Sequence, residues 1–92
     1  MLFIGYYRIL PGSRDAAIAR FKQTGGRPTE GVKLLGRWHS VASGRGVSIT
    51  EAEDAAAMAR FELQWSDLME LEVHPAVTDE QLAAALGAMK TN

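Results

Sequence analysis

The chain has 92 residues, a formal net charge of -1, 47% hydrophobic residues and no cysteine. These values describe one small globular domain over residues 1–92, and they exclude a disordered chain, disulfides and a cysteine nucleophile. Ten basic residues balance eleven acidic ones, and no apolar run approaches the roughly 20 residues of a membrane span. We therefore expect a cytoplasmic protein that binds neither nucleic acid nor a membrane.

The first part of the chain predicts a strand, a helix and a second strand. Leu2–Ile9 is apolar and aromatic and runs into a Pro-Gly turn, which is typical of a strand. Ser13 is the predicted N-cap of the following helix, and Gly25 is its predicted left-handed C-cap. The buried stripe of this helix is expected to comprise Ala17, Ile18 and Phe21. A loop then leads to a second predicted strand, Val32–Val41.

A hairpin turn and a second helix are predicted next. Residues 43–46, Ser-Gly-Arg-Gly, form the turn, and Val47–Glu51 forms the returning strand. Asp54 is the predicted N-cap of a helix that extends to about Asp67. Its apolar residues, spaced three, four and three apart, are Met58, Phe61, Trp65 and Leu68.

The last part of the chain predicts a fourth strand and a terminal helix. Met69–Val73 is the strand, stopped by Pro75, and Thr78 and Gln81 match a capping box. The apolar face of the terminal helix comprises Leu82, Ala85, Leu86 and Met89. The order β-α-β-β-α-β predicts a ferredoxin-like α+β fold with strand order 4-1-3-2, plus a C-terminal helix.

Apolar residues occupy both faces of the predicted sheet, although two helices cover only one of them. The face left open carries Leu2, Ile4, Tyr6 and Leu35. Because a contiguous exposed apolar patch usually marks an interface, we expect a homodimer that pairs through the open sheet face. The alternative is that the C-terminal helix folds over this face within one chain.

Several stretches carry a family resemblance, namely TGGRPTEGVKLLGRWHS, then GRG, EAED and QWSDLMELEVHPAVTDE. They resemble a family of small bacterial proteins known only as a domain of unknown function. The resemblance runs from Met1 to about Leu86, and the family is assigned to the dimeric α/β barrel group of ferredoxin-like folds. It implies this fold and a dimer, and it implies no activity. The wider group includes metal-independent monooxygenases, haem-degrading enzymes and lactone isomerases, but one fold hosts many functions.

The alternation of side chains along each strand assigns residues to the two faces of the sheet. If the helices cover the more apolar sets, they cover Phe3, Gly5, Tyr7, Ile9, Val32, Leu34, Gly36, Trp38, Val47, Ile49, Leu71 and Val73. The other face, a cleft in the dimer, then carries Tyr6, Arg8, Leu35, Arg37, His39, Ser48, Thr50, Glu72 and His74. A one-residue bulge reverses any such assignment.

The candidate site lies in the stretch Leu34–Ser40. His39 titrates near neutral pH and is the candidate general acid or base, and Arg37 is the candidate holder of an anionic group. Candidate ligand-binding residues are Tyr6, Leu35, Ser48, Glu72 and His74. We expect no cofactor and no metal. Two main functions stay open: a protein that binds or transforms a small, partly apolar, acidic molecule, and a non-enzymatic interaction module with a filled barrel. A third alternative is haem binding, which predicts a Soret band on titration.

Overall fold

The computed structural model describes residues 1–89 and contains one four-stranded antiparallel sheet in the order β2-β3-β1-β4. The elements are β1 (Leu2–Ile9), α1 (Arg14–Thr24), β2 (Val32–Ser40), β3 (Arg45–Ala52), α2 (Ala55–Leu63), β4 (Met69–Ala76) and α3 (Asp79–Gly87). This confirms the predicted ferredoxin-like order with a C-terminal helix. No helix within residues 1–89 is both long enough and apolar enough to cross a bilayer.

Most of the predicted helix ends are confirmed by their hydrogen bonds. The carboxylate of Asp54 accepts a bond from a backbone N–H in the first turn of α2, and Thr78 and Gln81 form both bonds of the capping box. Gly25 has φ 69° and ends α1 in the left-handed conformation. Ser13 is the exception, because its side chain makes no capping bond. Only its carbonyl enters the helix, by accepting from a backbone N–H.

Three predicted boundaries are wrong by two residues or more, and the ends of β2 and β3 differ from the prediction by one residue each. α2 ends at Leu63 rather than Asp67, because residues 64–68 form turns. β3 begins at Arg45, so the last two residues of the predicted hairpin turn are part of the strand. β4 continues through Pro75 to its end at residue 76. The sheet tolerates this proline because β4 is an edge strand, whose outer N–H groups have no ladder partner.

A β-bulge interrupts the pairing of β2 with β3. The register shifts between Leu34 and Gly36, so Leu35 is an extra residue without a partner. Alternation restarts after the bulge with its phase reversed relative to residue number. Arg37 and His39 consequently lie on the face covered by the helices, opposite to the prediction.

Trp38 lies on the open face for the same reason, although it was predicted to be part of the core. Its side chain is exposed, with 61% of its surface accessible. The indole ring folds back over Gly36, where a Cβ atom would approach it to within 2.6 Å. The bulge therefore places the largest side chain of β2 on the surface that no helix covers.

The faces of β3 are also the reverse of the prediction. Thr50 pairs directly with the buried Phe3, so Thr50 and Ser48 lie beneath the helices, whereas Val47 and Ile49 lie on the open face. The prediction gave the more apolar set to the helices, and that rule fails here because the open face is apolar as well. Thr50 is 1% exposed and is the most completely buried side chain described.

The hydrophobic core occupies only one end of the helix-covered face. It comprises Phe3, Ala52, Ala57 and Met58, with Val32, Phe61 and Val73 packed around them. α2 contributes two of these residues, whereas only Ala17 of α1 is buried. The other two residues of the predicted α1 stripe, Ile18 and Phe21, remain 37% and 41% exposed. α1 therefore stands off from the sheet, and a cavity opens beneath it.

α3 does not cover the open face. Every residue of this helix is exposed, including Leu82 and Leu86 of its apolar row. The alternative in which the terminal helix shields the open face within one chain is therefore not what residues 1–89 adopt. The open face keeps its apolar residues accessible.

Candidate functional site

The cavity between the sheet and the helices α1 and α2 has a volume of about 640 Å³. Its walls are largely apolar and include Ile18, Phe21, Phe61, Trp65 and Leu71. A volume of this size lies within the range of pockets that hold small organic ligands. The geometry therefore provides a largely apolar binding space with one polar end.

Tyr7 and His39 form that polar end. Both residues pair with Gly46, so they project from β1 and β2 on either side of the central strand β3. The Tyr7 hydroxyl and the His39 Nδ1 atom are 2.6 Å apart, a hydrogen-bond distance. A Cβ atom at Gly46 would overlap the tyrosine ring. The absence of a side chain on β3 thus lets the two rings meet across it.

Arg37 connects the polar end of the cavity to the C-terminal end of α1 through hydrogen bonds. Its guanidinium donates hydrogen bonds to the carbonyl oxygens of Gly26, at 2.8 Å, and Gly25, at 3.2 Å. The Arg37 Cζ atom lies 5.2 Å from the centre of the Phe21 ring, and the Phe21 and His39 ring centres are 5.7 Å apart in an edge-to-face arrangement. Carbonyl groups at a helix C-terminus attract a positive charge, so Arg37 is both an anchor and a local cation.

Burial favours the neutral form of both neighbouring rings, and the Arg37 charge adds to this effect at His39 alone. Burial lowers the pKa of His39, and the positive charge of Arg37 lowers it further. Burial raises the pKa of Tyr7, an effect that Arg37 partly opposes. At neutral pH the pair is therefore an uncharged phenol beside an uncharged imidazole.

The charged residues that line the cavity favour an anion. Arg14, Lys22 and Arg37 contribute positive charges, and Glu62 contributes the one carboxylate among the lining residues. Burial raises the pKa of Glu62, which weakens its negative charge. The surplus of positive charge lies beside apolar walls, an arrangement that suits an amphipathic acid.

The structure brings together three of the predicted site residues. Arg37, His39 and Ser48 line the same cavity, which lies beneath the helices rather than on the open face where they were predicted. The bulge in β2 accounts for the first two, and the reversed faces of β3 account for Ser48.

The other predicted ligand-binding residues are not assembled with them. Tyr6 borders the cavity, but its pairing with Glu72 places both side chains on the open face. His74 also lies on the open face, with its Nε2 atom 3.6 Å from a carboxylate oxygen of Glu72. Leu35 is the unpaired bulge residue and is 48% exposed. These four residues therefore do not contribute side chains to the polar end.

Tyr7 is the site residue that the sequence prediction missed. It was assigned correctly to the helix-covered face but was treated as core. The signal was Gly46, because the hairpin register places this glycine beside His39 and leaves room for a ring from β1. Among residues 1–89, no group of three or more His, Asp or Glu side chains is placed to hold a metal ion.

Comparison with known proteins gives a family match and two remote structural similarities. Residues 1–90 match the family described as "Domain of unknown function (DUF3303)". The protein Rv0793 from Mycobacterium tuberculosis is 16% identical, with 85% of this chain and 95% of that chain covered and a TM-score of 0.48. A Deinococcus radiodurans protein, provisionally described as an antibiotic biosynthesis monooxygenase, is 10% identical, with 85% and 94% covered and a TM-score of 0.46. No curated protein matches the chain.

Proposed function

We propose that this chain, which belongs to the domain-of-unknown-function family DUF3303, binds a small, partly apolar, acidic molecule between its sheet and helices. The observation that carries the proposal is the 640 Å³ cavity with apolar walls and a polar end formed by Tyr7, Arg37 and His39. The apolar part of the ligand would contact the walls, and its acidic group would lie at the polar end. Any transformation there would be proton transfer without a cofactor, with His39 as the acid or base.

The anion preference rests on Arg37. Two of its N–H groups bind the carbonyls of residues 25 and 26, and a guanidinium has five such donors. The remaining donors are available to a ligand carboxylate, and their charge-assisted bonds are stronger than neutral ones. A cationic ligand would instead be repelled by the excess of positive charge that lines the cavity.

The test compares two probes of similar size and opposite charge, phenylacetate and 2-phenylethylamine. Binding is followed by the fluorescence of Trp65, which lines the cavity, in a Trp38→Phe background that removes the other indole. We expect phenylacetate to bind and Arg37→Met to weaken it at least tenfold, or about 1.4 kcal/mol.

The matched control for this test is Arg14→Met, which removes the same charge from the cavity lining without touching the polar end. Circular dichroism checks that Arg37→Met is folded, and Arg37→Lys preserves the charge if it is not. Equal binding of both probes would contradict the proposal. Binding of neither probe would favour the non-enzymatic interaction module.

We also propose that the chain forms a homodimer through the open face and acts in the cytoplasm. Trp38, Tyr6 and Leu35 are 61%, 43% and 48% exposed, so large apolar groups remain in contact with water. A second copy of the chain exposes the same apolar surface. A twofold-symmetric dimer would bury both of these surfaces against each other. The absence of cysteine fits a reducing compartment.

A further inference from the structure

The hydrogen bond between Tyr7 and His39 joins two residues that are 32 positions apart in the chain. It fixes one ring nitrogen, Nδ1, to the tyrosine hydroxyl. Within residues 1–89, the other ring nitrogen of His39, Nε2, makes no hydrogen bond and no ion pair. The histidine that lies near a carboxylate is His74, on the opposite face of the sheet. The protonation of His39 Nε2 therefore determines whether the histidine presents a hydrogen-bond donor or an acceptor to the cavity.

The direction of the Tyr7–His39 bond follows from the acidity of the two groups. A phenol, with a pKa of about 10, gives up its proton far more readily than a neutral imidazole N–H, and an imidazole nitrogen is the stronger acceptor. The neighbouring Arg37 charge disfavours an imidazolium, and burial favours the neutral form of both rings. Tyr7 therefore donates to Nδ1, and the single proton of the neutral imidazole resides on Nε2.

We infer that His39 serves this cavity as a hydrogen-bond donor through Nε2–H and that Tyr7 is the positioning residue that holds it in this tautomer. The inference rests on the proposed function and narrows the role of His39, because neither ring nitrogen is then a free base. The Arg37 guanidinium and the Ser48 hydroxyl are also donors at the cavity wall. Such a set recognises a ligand oxygen that only accepts hydrogen bonds: a carboxylate, a carbonyl or an enolate.

The tautomer can be read directly by nitrogen NMR, because protonated and unprotonated imidazole nitrogens differ widely in ¹⁵N shift. The chain has two histidines, so a His74→Gln background leaves His39 as the sole imidazole. At a pH where His39 is neutral, we expect Nε2 to be protonated and Nδ1 to be an acceptor. Tyr7→Phe should remove the hydrogen bond that holds the proton of His39 on Nε2, and the imidazole should then be a mixture of its two neutral tautomers.

The chain also has a matched control, because its other tyrosine is the neighbouring residue on the opposite face. Tyr6→Phe removes the same hydroxyl and should leave the His39 tautomer unchanged. A protonated Nδ1 in the unsubstituted protein would overturn the inference, as would a Tyr7→Phe spectrum identical to that of Tyr6→Phe. A merely structural role for Tyr7 would change stability but would not shift the proton between the two nitrogens.

The ligand measurement separates this inference from the proposed function. With phenylacetate as the probe, we expect Tyr7→Phe to reduce affinity several-fold and Tyr6→Phe to leave it unchanged. If phenylacetate fails to bind but the tautomer is as described, the proposed function fails and the role of Tyr7 as a positioning residue stands. If phenylacetate binds equally to Tyr7→Phe, the inference fails and the anion site at Arg37 stands.

Discussion

The two faces of the sheet differ in how their large side chains are accommodated. On the helix-covered face, Phe3 and Thr50 are buried and Tyr7 has a hydrogen-bond partner within the chain. On the open face, Trp38 and Tyr6 are substantially exposed and no element of residues 1–89 covers them. Average hydrophobicity therefore does not identify the interior of this fold. One face is covered by the chain's own helices, and the other is left open by residues 1–89.

The polar residues of the two faces also differ in what they bind. Arg37 reaches backbone carbonyls at the end of α1, so its position is coupled to the fold. On the open face, Arg8 pairs with Glu70 at the surface, and both side chains are about half exposed or more. An exposed ion pair of this kind contributes little to stability. Arg37 of the cavity is therefore built into the structure, whereas the Arg8–Glu70 pair of the open face is a surface contact.

The largest expected effect is on association through the open face. Trp38→Glu places a charge on the surface that we propose is buried in the dimer, where an unpaired charge costs several kcal/mol. We expect the dimer dissociation constant to rise at least 100-fold, about 2.7 kcal/mol, with little change in the fold of the monomer. Sedimentation at micromolar concentration measures this shift.

The control for the association test is Leu63→Glu, because Leu63 is 73% exposed at the end of α2 and is distant from the open face in the fold. This variant should sediment as the unsubstituted protein does. A protein that is monomeric before any substitution would contradict the dimer, and the exposed apolar residues would then need a different partner.

A second test exploits the bulge that exchanges the faces of β2. Deleting the unpaired Leu35 should leave Arg37 and His39 in the cavity, because the pairs on either side of the bulge become adjacent. Deleting Trp38 instead forces Arg37 or His39 onto the open face. We expect the Trp38 deletion to lower the free energy of unfolding by about 2 kcal/mol or more, since hydrogen bonds are lost, and the Leu35 deletion to cost clearly less.

The measurement for the two deletions is urea unfolding, together with the imidazole NMR signals of His39. Equal destabilisation by both deletions would show that the bulge residue is needed for the register. Retention of both cavity residues after the Trp38 deletion would show that the register is set by contacts outside β2.

The fold was predictable from the sequence because helix caps and turns are local signals. Asp54, Thr78 and Gly25 act through bonds within a few residues, and each is confirmed. The positions of Trp38 and His39 were not predictable in this way, because a single bulge reverses every later residue of a strand. No local pattern in β2 marks the bulge, since its extra residue is a leucine between a leucine and a glycine.

The faces of β3 could not be predicted for a different reason. A strand with one apolar face reveals its orientation, but Val47 and Ile49 form an apolar set that faces outwards. The inward set contains Ser48 and Thr50, which are polar and yet covered by the helices. Only pairing with β1 resolves this ambiguity, and pairing between distant strands is not a local property of the sequence. The candidate site could not be predicted for both of these reasons, because several of its residues lie on β2 and β3.

The smallest expected effect concerns the buried hydroxyl on the helix-covered face. Among residues 1–89, the Thr50 hydroxyl has one hydrogen-bond partner, the Met58 sulfur at 3.4 Å, and a thioether is a weak acceptor. Thr50→Val keeps the shape of the side chain and removes a poorly satisfied polar group. We expect it to stabilise the protein by up to about 1 kcal/mol, because the hydroxyl no longer has to be desolvated.

The matched variant is Thr50→Ser, which keeps the hydroxyl and removes one methyl group from a fully buried site. It should destabilise the protein by about 0.8 kcal/mol or more, the cost of one buried methyl-sized group. Urea unfolding at one fixed protein concentration compares the two variants, so that association affects both equally. If valine is the more harmful substitution, the hydroxyl of Thr50 has a stronger partner than sulfur, and the helix-covered face depends on a polar interaction at its core.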